Sequence, residues 1–167
     1  MSAKKGQAAM EYLMTYGWAL VALVVVIGAI MATGVFNPSY LIAEECTLQP
    51  DLACTGHLLY IDEGGTPQLG FRINNGLGYN IRLRGAKIIA NDGTTYEDYS
   101  YNVMIPQGTE YDIDMPLNEL GAIKGETEKL RVSINYVSCA PEVNPDCDSG
   151  GPEHTISGRI VAHVEEA

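Results

Sequence analysis

Leu130-Arg131-Val132-Ser133-Ile134-Asn135-Tyr136-Val137 alternates apolar with polar side chains until its last residue. Successive side chains of a strand point to opposite faces, so Leu130, Val132, Ile134 and Tyr136 share one face and Arg131, Ser133 and Asn135 the other. The stretch reads as a strand with one buried and one mostly wet face. Working outward, the same period marks strands over 57–62, 68–74, 79–90, 100–105, 109–117, 128–137 and 153–164. Gly64-Gly65-Thr66-Pro67, Asn75-Gly76, Asn91-Asp92-Gly93, Pro106-Gln107-Gly108 and Gly150-Gly151-Pro152 punctuate them as turns. Short strands with frequent turns predict an all-β, immunoglobulin-like (Greek-key) sandwich over 57–167, without the Cys-Trp-Cys pattern of a true immunoglobulin domain.

The amino-terminal part follows another rule. Lys4-Lys5-Gly6-Gln7-Ala8-Ala9-Met10-Glu11 leads into a segment, Tyr12 to Val35, whose only ionisable groups are two tyrosines. Roughly 18 consecutive apolar residues are enough to read a bilayer span. A hydrophobic α-helix is therefore expected over 7–36, ending where Asn37 precedes Pro38. At 1.5 Å per residue it would be about 43 Å long, more than a hydrocarbon core needs. Gly17, Ala19, Ala22, Gly28, Ala29, Ala32 and Gly34 would let like helices approach closely. The lysine pair orients the amino terminus to the cytoplasm and the carboxyl terminus outward. Glu11, a carboxylate in apolar surroundings, calls for a partner or a function. The fold class expected for the whole chain is thus α+β, a long helix followed by a β head.

These residues resemble the class III signal peptide of archaeal type IV pilins, a short basic leader ending in glycine, a glutamate five residues on, and an apolar segment. The resemblance covers about the first quarter of the chain. It implies removal of residues 1–6 by a prepilin peptidase, with Lys4, Lys5, Gly6 and Gln7 forming the processing site. It also implies that Glu11 pairs with the new amino terminus of Gln7 on a neighbouring subunit during assembly. Phe36-Asn37-Pro38-Ser39 looks like that family's helix exit. An ordinary secretory signal would be shorter and would lack Glu11. A simple membrane anchor accounts for the lysines and the apolar run, but not for the glycine and the glutamate.

Composition narrows the function further. The 167 residues hold 10 Lys and Arg against 21 Asp and Glu, a formal charge of −11. Such a surface repels phosphate backbones, so nucleic acid is not an expected partner. Four cysteines form two Cys-x7-Cys pairs on the exported side of the apolar segment. The loops between them contain turn formers, Pro50 in one and Pro141 and Pro145 in the other, and short loops close readily. Disulfides Cys46–Cys54 and Cys139–Cys147 are expected. The spacing does not match a zinc knuckle, and no metal or other cofactor is expected. Asp146-Cys147-Asp148-Ser149-Gly150-Gly151 is faintly like a calcium loop but lacks its acidic twelfth ligand, and reads as a tight acidic loop. Thr95-Tyr96-Glu97-Asp98-Tyr99-Ser100-Tyr101 reads either as an exposed adhesive patch or as an edge strand with its turn. No Gly-x-Ser-x-Gly, phosphate loop or Cys/His nucleophile arrangement is present, so no enzyme is expected.

The expected organisation is a leader (1–6), a membrane and filament-core helix (7–36), a connector with the first disulfide (37–56) and the β head (57–167). The function it implies is a structural subunit of a type IV pilus-like surface filament, serving adhesion. Its partners would be identical subunits, the peptidase and an assembly platform, with the chain in the cell membrane before assembly and outside the cell afterwards. The alternative is a solitary anchored extracellular β-domain that binds a ligand.

Overall fold

The structure is a computed structural model that describes residues 3–33, 42–148 and 150–166, with the side chains of 3–9, 11, 13 and 15 outside that description. The chain divides into two compact units, Met1–Leu41 and Ile42–Ala167.

The second unit is built from nine strands. They are β1 (Glu45–Thr47), β2 (Leu52–Ile61), β3 (Pro67–Asn75), β4 (Ile81–Ile89), β5 (Thr95–Asp98), β6 (Val103–Ile105), β7 (Glu110–Pro116), β8 (Thr127–Ser138) and β9 (Glu153–Glu166). The stretch expected to be a connector therefore holds β1 and the start of β2. The strands join one curled mixed sheet in the order β5-β4-β8-β9-β2-β3-β7, with β1 also paired to β9 and β6 to β4.

This arrangement corrects the expected immunoglobulin-like sandwich, which would keep two antiparallel sheets separate. Here β9 is long enough to serve both halves. Its residues up to His163 pair antiparallel with β8, and Val164, Glu165 and Glu166 continue parallel to Leu59, Tyr60 and Ile61 of β2. That parallel seam stitches the two antiparallel groups together.

The amino-terminal expectation is corrected as well. The helix α1 spans Ala3–Ala32, so it begins before Gly6, and the expected end near Val35 lies outside the described residues. Among the described residues no helix is long and apolar enough to cross a membrane. The expected exit at Phe36-Asn37-Pro38-Ser39 lies outside the described residues.

Alternation places the core of the β unit. Leu69, Phe71 and Ile73 on β3, Ile113 and Met115 on β7, and Leu130, Val132, Ile134 and Tyr136 on β8 are buried in a single cluster. Two strands break the two-residue period. On β4 the pairing to β8 slips between Leu83 and Gly85, and the buried set changes from Ile81 and Leu83 to Ala86 and Ile88. One extra residue in a strand reverses which face the later side chains meet, so the bulge keeps both halves of β4 on the core. Gly85 is required there: a Cβ would run into the Tyr99 ring and stand 2.9 Å from the Asp98 carbonyl. A second slip between Cys54 and Gly56 does the same for β2, aligning Leu52 before it with Leu59 after it.

Candidate assembly surfaces

On α1, Met14, Trp18, Leu23, Val25 and Met31 are 59 to 77% exposed, and every described side chain of the helix is exposed. From Tyr12 on, apolar residues cover the whole circumference of the helix, with no polar stripe against which an amphipathic face could be defined. Gly17 leaves an open notch beside Met14, Trp18 and Val21, and a Cβ placed there would meet nothing within 4 Å. The backbone at Lys4, Lys5, Gly6, Gln7 and Glu11 is helical, while their side chains lie outside the described residues.

Both disulfides are present. Cys46 joins Cys54 across a Cα separation of 5.8 Å, and Cys139 joins Cys147 across 4.5 Å. The first ties β1 to β2. The second closes the loop between β8 and β9, whose interior is organised by Asn144, a residue the sequence reading passed over. Its Nδ2 donates to the carbonyls of Ser138 (3.1 Å) and Asp148 (3.0 Å), and its Oδ1 accepts from the Asp148 N–H at 2.9 Å. Cys147 takes a left-handed φ of 54°. The turn is fixed from both sides, because the Cys147 N–H donates to the Asn144 carbonyl and Arg82 Nε donates to the Cys147 carbonyl at 2.8 Å. The available signal was Asn144 before Pro145 inside a cystine loop, a position where an Asn amide can replace missing backbone partners.

Cys46, Cys54 and His57 stand close enough for their donor atoms to meet one ion. Their chemistry does not fit a metal, since a cystine sulfur is no thiolate. His57 Nε2 instead lies 3.2 Å from the Val161 carbonyl, to which it donates when protonated there.

The tyrosine-rich stretch divides between core and surface. Tyr96 and Tyr101 pack against the core, whereas Tyr99 is 54% exposed over Gly85. Tyr101 donates to the Asp114 carbonyl at 3.3 Å. Its phenol is pushed up to about 12 by burial, with the charges of Asp98, Tyr111 and Asp114 adding to the effect. Thr95–Asp98 is the edge strand β5, so the stretch does not gather its three rings on one surface.

Charge on the β unit is uneven. Glu110, Asp112 and Asp114 alternate along the exposed side of β7, where Arg72 donates to Asp112 at 2.6 and 2.9 Å. That bidentate hydrogen bond holds the Asp112 carboxyl below its usual range. The opposite sign collects on β8 and β9, where Arg131 pairs across from Arg159 and Lys129 stands two residues away. No family model matches the chain, and no curated protein matches it closely enough to indicate a relative.

Proposed function

We propose that the chain is a structural subunit of a type IV pilus-like surface filament, held to identical subunits through its apolar amino-terminal segment. The observation that carries the reading is the exposed apolar surface of α1 over its described side chains, next in sequence to a β unit that completes its own core. The two cystines support an exported location, where such bonds persist. The order Lys5-Gly6-Gln7 with Glu11 supports processing after Gly6 and assembly through Glu11 and the new Gln7 ammonium. Two opposite charges in apolar surroundings each lose more when left alone than when paired.

Surface filaments sheared from cells are the test. Mass spectrometry should find this chain in them beginning at Gln7, and Glu11→Gln should leave processing intact while filament number falls. Filaments lacking the chain, or subunits that keep Met1, would overturn the proposal, as would the anchored monomer expected of a solitary binding domain.

A further inference from the structure

The outer face of β2, β3 and β7 carries a groove of about 330 Å³. Strand register explains it. Leu58 on β2, Gly70 on β3 and Asp114 on β7 form one row across the sheet, and Gly56, Arg72 and Asp112 form the next. Glycine in two places on this face removes the side chains that would fill the floor, and a Cβ on Gly70 would stand 2.8 Å from Asp114 Oδ1. Leu58 and Tyr60 supply apolar walls. The acid at the end of the groove is unspent: among the described residues, the Asp114 carboxylate has no hydrogen-bond or ion-pair partner, whereas Asp112 is taken by Arg72. A glycine floor, an aromatic wall and a free carboxylate suit the stem and head of a long cationic side chain.

The same chain presents such side chains. Arg131 and Arg159 lie directly opposite each other on β8 and β9, a like-charge pairing that works against the sheet's own stability. Glu45 pairs with Arg159, but Arg131 and Lys129 have no such partner among the described residues. In a chain with 10 cations against 21 acids, exposed cations left unpaired among so many carboxylates are conspicuous.

We infer that the Asp114 groove of one copy receives the Arg131 and Lys129 side chains of a second copy. The two patches are different surfaces, so the contact is heterologous and repeats from copy to copy instead of closing on a twofold axis. It rests on the filament reading for that repetition. Charge complementarity of this exposed kind sets register and is weakened by salt.

Full-length protein in detergent, mixed from unlabelled and ¹⁵N-labelled copies, tests the contact with a carbodiimide that joins a carboxylate to a lysine amine without a spacer. The expected product is a mixed-label peptide pair linking Asp114 to Lys129. Arg131→Glu should weaken self-association in sedimentation about tenfold, the equivalent of 1.4 kcal/mol. The reciprocal change Asp114→Arg with Arg131→Glu should restore it, and Gly70→Ala, which fills the floor, should not. Coupling within single copies, coupling of Lys129 to other acids, or no rescue by the reciprocal pair overturns the inference. Filaments that contain the chain but lack the Asp114–Lys129 link overturn this contact and leave the subunit reading standing. Filaments without the chain overturn that reading, and the coupling in detergent still decides the contact.

Discussion

Asn75 shows what one buried polar side chain decides. It is fully buried at the end of β3, where its Nδ2 donates to the carbonyls of Tyr79 (3.0 Å) and Ile105 (3.1 Å) and its Oδ1 accepts from the Leu77 N–H at 3.1 Å. One amide thus satisfies three backbone groups of two turns. Asn75→Ala should destabilise the β unit by at least about 1–3 kcal/mol in chemical denaturation, the cost of orphaning the Ile105 carbonyl, whose bond is buried, while the groups of Tyr79 and Leu77 are only partly buried. Tyr101 gives the residue scale a pH dependence. Its folded pKa of about 12 lies above the ordinary phenol value of 10.0, so the folded state resists forming the phenolate. The contribution is complete below pH 10 and is lost as pH rises towards about 12. Denaturation midpoints of the wild type should fall through that window, and Tyr101→Phe should flatten the fall. An unchanged slope in the variant would assign the effect to another group.

Strands were legible where they were long enough to alternate. Leu130, Val132, Ile134 and Tyr136 were placed on the core side by period alone, and they are buried there. β1, with three residues, and β5, with four, give too few alternations to read, although an edge strand had been one reading of the tyrosine stretch. The sheet's order was not legible at all. The parallel seam of β9 on β2 joins residues a hundred positions apart, and no local pattern distinguishes that partner from another. The bulges at Arg84 and Thr55 hide in the same way, since each reads as a break in period until the partner strand shows the slip. The cystines were legible because each closes a short local loop. By the loop-closure relation, a bridge spanning eight residues contributes about 2.5 kcal/mol. Replacing Cys46 and Cys54 together by Ser should therefore lower stability by about 2–3 kcal/mol. Cys139 and Cys147 should lose less on replacement, because Asn144 and Arg82 hold that loop independently. Equal losses for the two pairs would show that those hydrogen bonds do not hold the loop.

At the scale of the molecule, the two units satisfy different requirements. The β unit buries its apolar side chains within itself, and the helix leaves its own exposed. Covering the apolar surface of α1 would gain free energy, and the β unit has a core of its own. Gly17 separates these two quantities. Its notch has room for a side chain, so Gly17→Leu should leave the helix intact and slightly better formed, since glycine is about 1 kcal/mol poorer than alanine inside a helix. The same leucine would hold a neighbouring helix away from the backbone, where close approach supplies the packing between like apolar surfaces. The expected result is an unchanged denaturation midpoint for the β unit together with a severalfold drop in filament number counted by electron microscopy. Wild-type filament numbers in Gly17→Leu would show that the helix does not pack through this notch. A shifted midpoint would show instead that α1 contributes to the stability of the β unit.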